Sequence, residues 1–329
     1  MRVLDILRMS RLDRLDAELL MARLLSRDRS WLLAHGQTEL SAEHMHQWQR
    51  WEARRLEHEP VAYIVGEKEF YARSFSVNRA VLIPRPSTEG LIDVTRAFLE
   101  SGRRIVREVD TGIVAVATAL HVRSSQRSRA LHSERCMPTL VDVGTGSGCI
   151  AVTLALELPE ARIIATDCSR EALKVARANA KRHGVENRIQ FLYGNLLKPI
   201  TGMHPRASSG LSLPEQAPGN QTIDFASNGE ASGLLVRRSR AKRGEVGLSK
   251  IKEPFLIISN PPYIPQGEVL PREIREYEPA DALFAGERGL DVITPLIAAA
   301  RADPLCRGII LECRRDQLLS LDLATKARR

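Results

Sequence analysis

An apolar run, three closely spaced glycines and a second apolar run stand back to back between Thr139 and Leu158. Leu140-Val141-Asp142-Val143 reads as a buried strand, Gly144-Thr145-Gly146-Ser147-Gly148 as a sharp turn, and Ile150 to Leu158 as a helix. A strand that passes directly into a helix is followed most simply by a parallel strand, because the helix carries the chain back across the sheet. The chain then repeats this alternation. Arg162-Ile163-Ile164-Ala165-Thr166 forms a second strand ending at Asp167. Ser169 caps a helix over Glu171 to His183, and Gly184 ends it. Arg188 to Tyr193, Phe255 to Ser259 and Gly308 to Glu312 read as the third, fourth and fifth strands. The fold class is therefore α/β: a doubly wound, Rossmann-like parallel sheet with helices on both faces.

The rest of the chain divides around this sheet. Residues 1–60 read as a small helical domain suited to docking a partner. Leu12, Leu15, Leu19 and Leu20 recur at helical spacing, and a second helix opens at Ser41 and runs through Trp48, Trp51 and Leu56 to Pro60. Residues 61–84 change period. Val61 to Gly66, Glu69-Phe70-Tyr71 and Phe75-Ser76-Val77 fit short strands and a β-hairpin connector. Val81-Leu82-Ile83-Pro84-Arg85-Pro86 is a stiff lead into a helix that opens at Ser87, Thr88 and Glu89. Residues 85–329 form the main domain, with expected insertions at 101–138 and 199–253. Within the first, Gly112 to Leu120 fits either helix or strand, and His121 to Ser133 reads as a basic loop. The second, Pro199 to Glu253, is polar and aperiodic and reads as a weakly ordered surface loop.

Charge and cysteine usage exclude several classes. No apolar run approaches the ~20 residues that span a bilayer. The mixed-charge N-terminus fits neither a signal nor a transit peptide, so the expected location is cytoplasmic, with no membrane partner. The five cysteines form no C-x-x-C pair and the eight histidines do not cluster with them, so we expect no disulfide framework and no metal. Cys149 and Cys168 read as packing residues. The formal net charge of +8 fits proximity to a ribosome or nucleic acid, although much of the excess lies in Arg123 to Arg135 and Arg237 to Lys252.

Two motifs carry the chemistry. In the first, glycines between strand and helix let a ligand approach the main chain, and Asp167 at the end of the second strand is placed to accept hydrogen bonds from ribose hydroxyls. The spacing departs from the dinucleotide fingerprint, since Cys149 takes the sixth position and the third glycine falls early at Gly148. No Gly-Lys-Ser/Thr follows, which excludes a P-loop. A nucleoside donor without pyrophosphate fits, namely S-adenosyl-L-methionine. Its amino-acid part would lie on Gly144, Thr145, Gly146 and Gly148 with Asp142 near the ammonium, and Asn195 would accept from the adenine amino group. The second motif, Asn260-Pro261-Pro262-Tyr263, follows the fourth strand directly. A conjugated NH2 group is a poor nucleophile because its lone pair is delocalised. The Asn260 side-chain oxygen and the Pro261 carbonyl could accept from its two N–H groups, Tyr263 could pack flat against it, and proline keeps the turn stiff. Asn260 belongs to both the cofactor-facing and the substrate-facing set.

Together these residues resemble the class I methyltransferases that modify exocyclic or amide NH2 groups. The stretches Glu59 to Tyr63, Phe70 to Val77, Val81 to Pro86 with Thr88-Glu89, Val141 to Ala151 and Ser259 to Pro265 resemble in particular the release-factor glutamine methyltransferases, the HemK family. The resemblance implies methylation of the glutamine side-chain amide in the Gly-Gly-Gln loop of a peptide-chain release factor. It implies Asn260, Pro261 and Tyr263 as catalytic residues, with Pro262 completing the substrate pocket. Transfer would be direct, driven by positioning and electrostatics. The chain departs from the family at Ser87, where an acid is usual, at Asn195, and at Cys313, which replaces a glycine. The family's last helix and closing strand pair are not found after Gln317, so the fifth strand is expected to form an open sheet edge. The competing readings are an adenine-amino DNA or RNA methyltransferase and a non-catalytic relative that only binds cofactor or partner.

Overall fold

The computed structural model describes residues 1–120, 139–198 and 251–321. The basic loop over His121 to Ser133 and nearly all of the expected insertion at 199–253 lie outside the described residues. The chain opens with five short helices: α1 (Val3–Met9), α2 (Arg14–Leu24), α3 (Arg29–Ala34), α4 (Ala42–Leu56) and α5 (Val61–Val65). Asp28 and Ser41 cap α3 and α4, accepting from Trp31 N and His44 N. The core of this bundle gathers Val3, Ile6, Leu20, Met21, Trp48 and Ile64. Two leucines of the expected apolar stripe, Leu15 and Leu19, are 52% and 38% exposed. The buried face of α2 is carried instead by Ala17, Leu20 and Met21.

The strand expected at Val61 to Gly66 is helix α5. Pro60 starts it with a preset φ, and its carbonyl accepts from Tyr63 N and Ile64 N. Ile64 then seats in the bundle core, while the Tyr63 hydroxyl donates to Val81 O at 2.6 Å. The hairpin connector follows as β1 (Glu67–Phe70) and β2 (Arg73–Ser76), antiparallel. Phe70 and Phe75 leave it to enter the main core.

The main domain contains α6 (Pro86–Ser101), β3 (Ile105–Asp110), β4 (Ile113–Ala119), β5 (Thr139–Val143), α7 (Cys149–Glu157), β6 (Ile163–Asp167), α8 (Arg170–Arg182), β7 (Ile189–Tyr193), β8 (Phe255–Ser259), α9 (Arg272–Tyr277), α10 (Ile293–Ala302), β9 (Cys306–Arg314) and α11 (Arg315–Ser320). Seven strands make one sheet in the order β3-β4-β9-β8-β5-β6-β7. The five strands from β9 to β7 are parallel, and β4 and β3 are antiparallel additions. This is the doubly wound α/β sheet expected from the sequence. Every residue of β5, β6 and β8 is buried, as a sheet covered on both faces requires.

Two expectations are corrected here. Residues 105–119, part of the expected insertion at 101–138, are two strands of the sheet. The fifth strand is no open edge, because β4 pairs with it from Ile113↔Arg314 to Ala119↔Gly308. Val114 to Thr118 are buried, which explains why this apolar run showed no helical or alternating period. The hairpin also packs on α6, where Gly90 faces Val109: a Cβ built on Gly90 would stand 2.2 Å from Val109 Cγ1. Gly90→Ala should therefore destabilise the fold by about 1–3 kcal/mol through overpacking, despite alanine's better helix propensity. Val109→Ala in the same chain should recover most of that loss. Urea unfolding of the two single variants and the double variant checks this, and additive effects would sink the contact.

Candidate active site

The sheet reverses its winding between β5 and β8, since β6 and β7 lie to one side of β5 and β9 lies beyond β8. In such sheets the crevice beyond the carboxyl ends of the two central strands receives ligand. Both sequence motifs converge there. The glycine loop leaves β5, Asn260 leaves β8, and the two strand ends are tied by the Ser259 hydroxyl, which donates to Val143 O at 2.6 Å.

Gly144 and Gly146 adopt φ of +74° and +54°, with open space where a side chain would stand. A left-handed backbone of this kind leaves main-chain groups accessible to a ligand. Gly148 serves packing instead. A Cβ there would lie 3.0 Å from the Cβ of Ala176, so the glycine lets the loop press closely on α8. Asp167 holds the loop from below. Its Oδ2 accepts from Gly146 N at 2.9 Å and its Oδ1 from Ser169 N at 2.8 Å. Ser169 caps α8, as expected, by accepting from Ala172 N. Asn195 is exposed after β7. Cys149 packs in the core, whereas Cys168, expected to pack, is exposed.

Asp142 is fully buried beneath the loop rather than open to the crevice. Its Oδ2 accepts from the Thr145 hydroxyl at 2.6 Å and from Ala151 N at 3.1 Å, which pins the loop to the start of α7. Its Oδ1 is buried with no hydrogen-bond partner among the described residues. Burial raises the pKa of this carboxyl to about 7, against the lowering effect of Thr145 and Ala151.

Asn260 is half-buried, and its Nδ2 donates to Thr88 Oγ1 at 2.8 Å, leaving Oδ1 as the acceptor of the side chain. Pro261 is buried, and Pro262 and Tyr263 are half-buried. The Tyr263 hydroxyl donates to Glu312 Oε1 at 3.1 Å. From α11, Gln317 donates through Nε2 to Tyr263 O at 2.8 Å, and also to the carbonyls of Arg288 and Gly289. A Cβ on Gly289 would fall 2.1 Å from Tyr263 O, so the main chain there must be glycine. Glu278 anchors the connector by accepting from Ile83 N and pairing with Arg85.

Several of these residues were not singled out from the sequence. Asn179 of α8 is one: it binds both Ser76 N and Ser76 O and donates to Ser147 O, joining the hairpin to the glycine loop. Gln317 is another. Glu312 carried a signal, as an acid closing the apolar run Gly308 to Leu311.

Comparison with known proteins places these features in context. Residues 5–66 match the family model described as PrmC N-terminal domain, and residues 138–203 match one described as a methyltransferase domain. A release factor glutamine methyltransferase of Koribacter versatilis is 34% identical over 285 residues, covering 86% of this chain and 72% of that protein. One from Chlorobaculum tepidum is 34% identical over 275 residues, covering 83% and 68%. A bifunctional methyltransferase of Rickettsia prowazekii is 32% identical over 289 residues, where the match takes in 87% of this chain but 43% of that longer protein.

The buried Asp142 yields a signed prediction. The unfolded chain ionises this group near 3.8 and the folded chain near 7, so its contribution to stability falls as pH rises between those values and is level above them. Asparagine can keep its oxygen on Thr145 and Ala151 and removes the buried charge. Asp142→Asn should stabilise the ligand-free protein at pH 8 by about 1–3 kcal/mol, with the advantage shrinking toward pH 5. Thermal melts across that range test it; a pH-independent offset would refute the assignment.

Proposed function

The chain belongs to the family of release factor glutamine methyltransferases, and from that premise we propose that it methylates the side-chain amide nitrogen of the glutamine in the Gly-Gly-Gln loop of a peptide-chain release factor. The methyl donor is S-adenosyl-L-methionine, which supplies a methyl group activated by its sulfonium. The loop at Gly144 and Gly146 takes the amino-acid part of the donor on open main chain, and Asp167 accepts from its ribose through lone pairs that the loop leaves free. Asn195 faces the adenine. Asp142 acts from beneath, holding the loop in shape. Asn260 completes the donor side, while Thr145 and Gly148 serve it indirectly, Thr145 through its bond to Asp142 and Gly148 by letting the loop press on α8.

The observation that carries this reading is the arrangement around Asn260. The site offers two acceptors on a stiff turn, Asn260 Oδ1 and the Pro261 carbonyl, and no N–H from either proline to compete. A primary amide brings two donors on one planar nitrogen. Holding both N–H groups in the plane directs the remaining π lone pair out of the plane, toward the methyl donor, so that transfer proceeds in line. Tyr263 forms the wall against the amide plane. Its phenol is held protonated by burial and by the neighbouring Glu312, so it presents a neutral face to the cationic donor. As the N–C bond forms, the donor's S–CH3 bond would break and its sulfur would keep the electron pair as a neutral thioether; the methylated nitrogen, now cationic, loses its surplus proton to solvent or to a neighbouring acceptor. No covalent enzyme intermediate is needed.

The N-terminal bundle is tied to α9 of the main domain, by the Arg55–Glu273 ion pair and by the Tyr277 hydroxyl, which donates to Glu57 O. That linkage suits a bundle that docks the body of a protein substrate while its glutamine loop enters the crevice.

The test is transfer of labelled methyl from S-adenosyl-L-methionine to a purified release factor, with the modified residue located by mass spectrometry. Label is expected on the glutamine of the Gly-Gly-Gln loop. Asn260→Ala should lower transfer by roughly a hundredfold or more while the dissociation constant for S-adenosyl-L-methionine changes by less than about tenfold. Label elsewhere, or transfer unaffected by the substitution, would overturn the proposal.

A further inference from the structure

Glu312 is completely buried at the end of β9, yet the proposed transfer uses it only as the neighbour that keeps the Tyr263 phenol protonated. Its Oε1 accepts from the Tyr263 hydroxyl at 3.1 Å and from the Ser87 hydroxyl at 3.4 Å. Its Oε2 is buried with no hydrogen-bond partner among the described residues. Thr88, 2% exposed, lies against the same carboxyl group and receives the Asn260 side-chain NH2 on its oxygen. An acid is costly to bury in this way, so its surroundings call for an explanation.

Counting hydrogens supplies one. A carboxylate only accepts, whereas a threonine hydroxyl has a single hydrogen and free lone pairs. If Thr88 gives its hydrogen to the carboxylate, only its lone pairs remain for Asn260. Asn260 must then turn NH2 toward Thr88 and Oδ1 away from it. A neutral or absent partner at 312 would let the Thr88 hydroxyl rotate and the Asn260 amide flip, placing a donor where an acceptor is needed.

We propose that Glu312 is a positioning residue for methyl transfer, whose carboxylate fixes the hydroxyls of Thr88 and Tyr263 and so holds Asn260 with its oxygen facing the target amide. The inference rests on the amide-holding role of Asn260 given above. Burial raises the pKa of Glu312, and the Thr88, Tyr263 and Ser87 hydroxyls together with Arg85 oppose that rise, so the hydroxyls favour the charged form that the ordering requires. Ser87 and Tyr263 bring hydroxyls onto the carboxylate from two elements distant in sequence, the start of α6 and the turn after β8, and Thr88 stands beside it on the first of these.

The experiment compares Glu312→Gln, Thr88→Val and Thr88→Ser with the unaltered chain. Glutamine keeps the shape of Glu312 without its charge, and valine keeps the shape of threonine without its hydroxyl. Glu312→Gln and Thr88→Val should each lower kcat on a release factor roughly tenfold to a hundredfold, with S-adenosyl-L-methionine affinity within about threefold of the original. Thr88→Ser should recover kcat to within about fivefold. A second readout needs no turnover: the 15N–1H signals of the Asn260 carboxamide, assigned by their loss in Asn260→Ala. These should shift in Glu312→Gln and Thr88→Val and stay near their original positions in Thr88→Ser. Carboxamide signals that ignore Thr88→Val, or serine as damaging as valine in both readouts, would overturn the positioning role. A chain inactive on release factors would defeat the proposed function instead, and the carboxamide signals would still decide the role of Glu312. If Glu312→Gln fails to fold, the valine and serine pair carries the test.

Discussion

The whole site depends on β5 and β8 lying side by side and parallel. The two strands are neighbours in space but separated in sequence by α7, β6, α8 and β7. Helices therefore pack on opposite faces of the sheet, Cys149–Glu157 on one and Ile293–Ala302 on the other. Ser259 closes the strands together at that rim through Val143 O. One strand delivers a bare glycine main chain to the crevice and the other delivers a polar turn. A donor and an acceptor group can meet there because the backbone has already brought their holders within reach.

Three of the buried acids tie elements together around the site: Asp142 and Glu312 are fully buried and Glu278 nearly so. Each sits at a junction. Asp142 joins glycine loop to helix, Glu278 fastens the connector through Ile83 and Arg85, and Glu312 joins the start of α6 to the turn after β8. Backbone and hydroxyl donors meet Asp142 and Glu312, Glu278 adds an ion pair with Arg85 to its bond from Ile83 N, and a charged acceptor makes the stronger bond. Oδ1 of Asp142 and Oε2 of Glu312 have no hydrogen-bond partner among the described residues, so this arrangement is held at a cost in stability. Such cost is common where orientation matters more than stability.

What the sequence discloses and what it hides follow from the range of the forces involved. The strands of the parallel sheet, the cap at Ser169 and the turn at Gly144 to Gly148 are local matters of apolar runs, capping and φ, and each stands where its residues indicate. The strand ends at Asp167 and Asn260 were equally legible because a polar residue closes a buried run. Val61 to Val65 misled, since five apolar residues fit either period and the decision lay with Pro60 and the distant bundle core. Residues 113–119 gave no period because both faces are covered, one of them by α6. Thr88, Gln317 and Asn179 act through partners far along the chain, as in the bond from Asn260 to Thr88, and nothing in their neighbours announces it.

The β3–β4 hairpin bears on how this sheet can assemble. Its pairing partner β9 is the last of the parallel strands in sequence, since residues 113–119 bond to residues 308–314. Closing that loop encloses β5, β6, β7 and β8 together with the whole segment between Lys198 and Ile251. The entropy of closure grows only with the logarithm of loop length, and each doubling adds about 0.6 kcal/mol. A long segment at that point is therefore almost free of thermodynamic consequence for the pairing. The kinetic consequence is larger. During synthesis β4 emerges well before β9, so its apolar edge must wait for a partner and stays open to pairing with other chains until the last parallel strand arrives.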